Sequence, residues 1–239
     1  MLNENSFQFM ADLWSINAKP WFDAHRQDYE ANVLKPMKAL AIDLTAPMQN
    51  VLPEFSGKPK LSRINNDIRF HQDKPMYKQH MWISFAGSGA IADIFTAIGG
   101  SGWAAGVGIG APNKEPLLNW HTNLIKHHTI WQRYFAAVEK IRPIYLYPEN
   151  PYKKALYPDA PEDIQPLLQA RGVWLVEKPR ADFDANPAQD FFRALCRVLP
   201  LYLFMRCKPL ELTERLMQLE KEINAPDGEV GRLWERLSA

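Results

Sequence analysis

Apolar residues recur at three- and four-residue spacing over the first fifth of the chain. Ser6 is placed to cap a helix that carries Phe7, Met10, Leu13 and Trp14 on one face and stops at Asn17. Pro20 suits the first turn of a second helix, where Trp21, His25, Tyr29 and Val33 fall at successive i+4 positions. Pro36 kinks that helix or starts a third, with Leu40, Leu44, Met48 and Val51 in one stripe up to Pro53. Helices are thus expected to fill residues 6–52.

The period changes after Gly57. From Leu61 to Phe70, Ile64, Ile68 and Phe70 take even positions while Arg63, Asp67, Arg69 and His71 take odd ones, the alternation of a half-buried strand. Asn65-Asn66 offers a hairpin turn as an alternative. Met81–Phe85 reads as a second strand. Gly102–Gly110 reads as a third, with Trp103, Ala105, Val107 and Ile109 alternating against small residues, so that backbone or ligand must approach closely there. A helix follows over 115–141 and a Pro-rich connection over 143–166. Val173–Val176 is a further strand, and Asn186-Pro187 opens a helix running through Phe191, Phe192, Leu195 and Leu199. A last helix within 210–237 carries Leu212, Leu216, Leu219 and Ile223 as a stripe that must be buried on the body or on a second copy. Strands at 61–110 with short connections, flanked by helical N- and C-terminal segments, predict one α+β domain over 1–239, a mainly antiparallel sheet with helices packed on it.

Composition narrows the function classes. The 239 residues carry 28 basic and 27 acidic side chains, a formal charge of +1, so no global field steers the chain onto nucleic acid or an anionic membrane. No window of 18 residues is free of charges and helix breakers, which argues against a membrane span. The start, MLNENSFQFM, lacks a secretory pattern, and Cys196 and Cys207 lie eleven apart in apolar surroundings that suit reduced packing residues. Together these features point to a cytoplasmic protein.

Candidate chemistry gathers in Lys60–His80, which holds five Lys/Arg, two Asp and two His. On a continuous strand, same-face neighbours lie roughly 6.6 Å apart, so Asp67 would stand between Arg63 and Arg69 and hold their planar forks for a phosphate or carboxylate. The same residues also suit an exposed ion-pair ladder. Elsewhere the chemistry is thinner. His121 and His128 are seven apart, roughly 10.5 Å along a helix and too far to share a metal, and no metal or cofactor is expected. His71 and Asp73 would need ligands from elsewhere. Gly87-Ser88-Gly89 and Gly99–Gly110 lack the following Gly-Lys-Ser/Thr of a phosphate loop and the acidic residue of a dinucleotide fold.

Asn17, Trp21, Phe22, Arg26, Tyr29 and Glu30 form an early N-x-x-W-F-x-x-x-[RK]-x-x-Y-E-like helix, with slightly altered spacing. Asp67, Arg69, Phe70, Asp73, Lys74, Tyr77 and Lys78 form an R-D-x-R-F-x-x-D-K-x-P-Y-K-like block, in which Asn66 replaces the first arginine and Pro75 is displaced. With the YKKALYPDAPEDIQPLLQARGVWLVEKP stretch at 152–179, this pattern resembles the domain-of-unknown-function family numbered two thousand four hundred and sixty-one, over about residues 7–204. The resemblance implies no reaction. It does mark the block as the family's signature and favours a ligand-facing role for Asp67, Arg69, Lys74, Tyr77 and Lys78, which with Arg63 and Asp73 make the candidate ligand-binding set. The expectation is a small anionic ligand, phosphate or carboxylate, at those residues; the alternative is a non-catalytic protein-interaction module in which the block is structural. Neither reading fixes an oligomeric state.

Overall fold

The computed structural model describes residues 1–69, 74–86, 92–110 and 114–223. Its strands are β1 (Lys60–Leu61), β2 (His80–Ser84), β3 (Asp93–Gly99), β4 (Gly102–Ile109), β5 (Ile144–Glu149) and β6 (Gly172–Glu177). They form one six-stranded sheet in the order β1-β2-β3-β4-β6-β5, antiparallel in every pairing with an assigned register. With its helices this is the α+β arrangement the alternating segments predicted. The described residues divide into two compact units, the first from residues 1–85, 95–104 and 179–192 and the second from the rest.

In the first unit, α1 (Glu4–Ile16) begins at Asn3 rather than Ser6. The Asn3 side chain accepts from the Ser6 amide, and the Ser6 hydroxyl accepts from the Asn3 amide, a reciprocal box that leaves Ser6 fully buried. The helix ends at Asn17, whose φ of 44° is left-handed, a conformation asparagine tolerates better than most residues. Then α2 (Lys19–Ala24) and α3 (Arg26–Tyr29) lead through a π turn at Glu30–Leu34 into α4 (Lys35–Val51); Pro20 stands in a first turn where no intrahelical N–H is lost, and Pro36, which has none to give, follows directly on the π turn. Phe7, Met10, Leu13, Leu40, Leu44 and Met48 are buried, as the 3.6-residue stripes required. Trp103 closes this core between Phe183 and Phe191, with ring centroids at 5.4 and 4.5 Å.

The second unit holds α5 (Lys114–Lys126) and α6 (His128–Ile141), which interrupt the expected single helix at His127. It also holds a 3-10 turn at Glu162–Ile164, α7 (Gln165–Gln169), most of α8 (Pro187–Arg206) and α9 (Leu212–Ile223). Residues 224–237 of the expected last helix lie outside the described residues. Leu212, Leu216 and Leu219 are buried within the chain. Asn123 of α5 donates to the Phe204 and Cys207 carbonyls, supplying partners that the C-terminal end of α8 lacks. The stretch 143–166 is a correction: it contains strand β5, with Pro148 tolerated because β5 is a sheet edge. Strand β3 is likewise an addition, an apolar run buried on both faces at Ile94, Phe95 and Ile98.

Candidate functional site

The continuous strand expected over Leu61–Phe70 does not form. Only Lys60–Leu61 pairs as strand, opposite Ser84 and Ile83 of β2. Beyond them the chain runs beside residues 76–82 through single bonds: the Ser62 and Trp82 backbones pair, Lys78 N donates to Ile64 O at 2.8 Å, and Asn66 N donates to Met76 O at 2.9 Å. Asn65 bridges Tyr77, so Asn65-Asn66 stands in an arm of this irregular hairpin rather than at its turn. The Asn66 side chain takes the Pro75 carbonyl at 2.7 Å, spending backbone and side-chain groups on a non-strand path. Burial shows the same: Ile64 is buried, but Ile68 is 38% exposed, so the apparent alternation has no continuous inner face.

That path sorts the seven candidate residues. Asp67 and Arg69 engage each other locally, Nε to Oδ1 at 2.9 Å and Nη2 to Oδ2 at 2.5 Å, with both side chains largely in water. Asp67 also accepts from the Arg69 amide, so the carboxylate is spent on its own turn. Asp73 lies outside the described residues, as do Phe70 and His71. Lys74 is exposed and is not brought to the others. Tyr77 is buried, its ring stacked on Phe22 at 4.6 Å, while Asn17 takes its amide at 2.9 Å and gives to its carbonyl at 3.0 Å. The two signature segments therefore meet here: the left-handed Asn17 that ends α1 clamps the backbone of Tyr77 sixty residues later.

Arg63 and Lys78 are brought together. The Lys78 ammonium donates to the Arg63 carbonyl at 2.7 Å and sits 4.8 Å from the centre of the Trp82 ring. Partial burial, then the charge of Arg63, hold the Lys78 pKa below its ordinary value. His80 joins them, its ring 5.6 Å from that of Trp82; shielding from water, then the Lys78 charge, lower its pKa below 6.5. Trp82 escaped the sequence reading although its signal was present: in His80–Ser84, Met81 and Ile83 turn inward while His80 and Trp82 lie on the other face. The Lys78 ammonium and the His80 ring thus flank one indole, and the same ammonium holds the Arg63 backbone. Among the described residues no carboxylate pairs with Arg63 or Lys78, and no group of three His, Cys, Asp or Glu could hold a metal ion.

Among the described residues no helix is long and apolar enough to cross a membrane. No curated protein and no solved structure matches the chain. The family described as conserved hypothetical protein (DUF2461) matches over residues 5–199, a span that takes in both signature segments, and the chain belongs to that family.

Proposed function

We propose that this protein binds a small anion, a phosphate or a carboxylate, at Arg63 and Lys78, with His80 beside them and Trp82 as the floor. One observation carries the reading. Among the described residues the Arg63 guanidinium makes no hydrogen bond or ion pair, while Lys78 is tied to Arg63's own carbonyl, so neither of these neighbouring cations has a counter-ion there. Like charges held together raise each other's energy, and an anion between them relieves the repulsion while taking charge-assisted hydrogen bonds. Arg69, already forked onto Asp67, has less to offer a ligand. We read the setting as cytoplasmic, where buried thiols such as those of Cys196 and Cys207 stay reduced.

The second reading, an interaction module with a structural block, is favoured at one residue, the buried and doubly braced Tyr77. The two readings divide at a titration. Inorganic phosphate, pyrophosphate and citrate are titrated calorimetrically at low salt against the wild-type chain and against Arg63→Ala, Lys78→Met and Arg69→Ala. Saturable binding, weakened about tenfold by either of the first two substitutions and unmoved by the third, supports the anion site. Binding of none of the three anions removes it and leaves the block structural.

A further inference from the structure

In the second unit, the face of the sheet away from α8 carries an aromatic surface that the anion site does not use. Along β6, Val173, Leu175 and Glu177 are buried and Glu177 meets Arg197 of α8, so Trp174 and Val176 turn the other way. The register sets Tyr147 directly opposite Trp174 and Tyr145 opposite Val176 on edge strand β5. Tyr145 and Tyr147 are 41% and 51% exposed. On the opposite side of β6, Gly108 pairs with Trp174 and Gly106 with Val176.

Those glycines determine how the indole lies. A Cβ on Gly108 would come within 2.2 Å of Trp174 Cε3 and 2.6 Å of Cδ2, so the six-membered ring rests directly on the β4 backbone. Its N–H donates to Glu149 Oε1 at 2.9 Å. Backbone beneath and carboxylate at the edge fix the ring before any ligand arrives, so its ordering costs nothing on binding. The close approach expected from the glycine-lined strand is thus met by an aromatic side chain, and that side chain is only partly buried.

We propose that Trp174, Tyr147 and Tyr145 form a binding platform for a neutral carbohydrate. The chemistry of the surface selects this class. Tyr145 stands edge-on to Tyr147, with centroids 6.5 Å apart and 88° between the planes, so each ring offers its own flat apolar face with a phenol hydroxyl at the margin, matching a pyranose, whose C–H face is apolar and whose rim is hydroxylated. By the alternation of β4, β5 and β6, Glu149 is the one charged side chain these strands place on that face. A carboxylate only accepts hydrogen bonds, so the ligand must bring donors, which sugar hydroxyls do. A nucleic acid would bring phosphates toward that carboxylate with no Lys or Arg from these strands to meet them. A polyproline segment needs an indole N–H for its carbonyls, and that of Trp174 is already committed to Glu149. Pairing of another chain along β5 is interrupted by Pro148, which has no ladder donor.

The test titrates the full chain with cellohexaose, maltohexaose and chitohexaose, followed by tryptophan fluorescence and by calorimetry, with oligothymidylate and a polyproline peptide as competitors. Saturable binding of at least one hexaose is expected. Tyr147→Ala should weaken it at least about tenfold, Tyr147→Phe by less than about threefold, and Trp174→Phe should reduce the fluorescence change. Tyr145→Ala provides a second variant, and since both tyrosines are exposed, unchanged far-ultraviolet dichroism of either variant keeps a loss of affinity from being read as unfolding. Failure of all three hexaoses to bind overturns the proposal. Hexaose binding indifferent to both tyrosine substitutions overturns it too, as does capture of oligothymidylate or polyproline by this face in place of a sugar. Phosphate affinity at Arg63 and Lys78 is measured in parallel, so this platform and the anion site stand or fall separately.

Discussion

Two arginine–carboxylate pairs in this chain share their chemistry and differ in everything around it. Asp67 and Arg69 are two residues apart on an exposed segment, with side chains 53% and 77% in water. Glu177 and Arg197 are twenty residues apart, on β6 and α8, with side chains 0% and 9% exposed and bonds of 2.6 and 3.1 Å. In water the attraction between opposite charges is mostly cancelled by the hydration both ions give up, so the first pair is worth at most about 1 kcal/mol. In the interior neither ion can recover its hydration alone, and each depends on the other. A sequence rich in charge draws attention to the pair of least energetic consequence.

The sharpest way to break this contrast is to remove one partner of the buried pair. Arg197→Ala leaves a carboxylate with no exposure and no counter-ion, and should cost about 3–5 kcal/mol in denaturant unfolding of the second unit. Replacing both residues together, Glu177→Leu with Arg197→Met, should recover most of that loss, because the destabilisation comes from the uncompensated charge. If the double variant is as unstable as Arg197→Ala, packing rather than charge is what Arg197 supplies.

His121 extends the comparison to a buried group with no charged partner among the described residues. It is 2% exposed, its ring meets Tyr157 edge-on at 5.4 Å, and its Nε2 makes no hydrogen bond. Burial lowers its pKa from 6.5 to about 4. The unfolded chain therefore takes up this proton at a higher pH than the folded one. The stability held by the neutral ring is complete above pH 6.5 and is lost as the pH falls toward 4, by about 3 kcal/mol in total. His121→Gln should flatten that slope between pH 6.5 and 4. A slope identical to wild type would assign the titration elsewhere.

How much of this was legible follows from how local each signal is. The stripes of α4 and α9 and the alternation of β4 are properties of neighbouring residues, and all three elements form where the pattern put them, α9 as far as the described residues reach. The strand proposed over 61–70 had the same kind of signal. It failed because Asn65 and Asn66 bond to 75–77, a choice made by a returning segment that alternation does not describe. Strand β5 hid behind its prolines, and β3 behind a mostly apolar run without alternation. At the site, Arg63 and Lys78 were legible as basic residues, but their meeting depends on the same return of the chain. Trp174 on Gly108 and Glu177 with Arg197 are likewise products of tertiary pairing, and no spacing rule announces them.

An exposed cation with no paired carboxylate among the described residues is the third case, and it should answer to ligand rather than to denaturant. Arg63→Ala is expected to leave the unfolding midpoint nearly unchanged while weakening phosphate binding by about 1–2 kcal/mol. The pH dependence carries a sign. The His80 pKa is lowered by shielding and by Lys78, so the ring is neutral above pH 6.5, and phosphate affinity should strengthen as the pH falls through that lowered value. His80→Gln should abolish the strengthening. Affinity that weakens over the same interval would exclude His80 from the site.

The smallest effect belongs to the exposed pair, and it separates a charge ladder from a ligand clamp. Asp67→Asn removes the counter-ion of Arg69 while keeping an oxygen that can still accept from its amide. With both side chains largely in water, the freed guanidinium regains hydration at once, and the unfolding free energy should change by less than about 1 kcal/mol, less still at high salt. Arg69 then brings a positive charge no longer forked onto Asp67 to the segment that carries Arg63. If anions reach this segment, Asp67→Asn should strengthen phosphate binding modestly, and Asp67→Asn with Arg69→Ala should return it to the wild-type value. A loss of affinity on Asp67→Asn would instead show that the carboxylate holds the arginine in its binding geometry, moving the anion site from Arg63 and Lys78 toward Arg69.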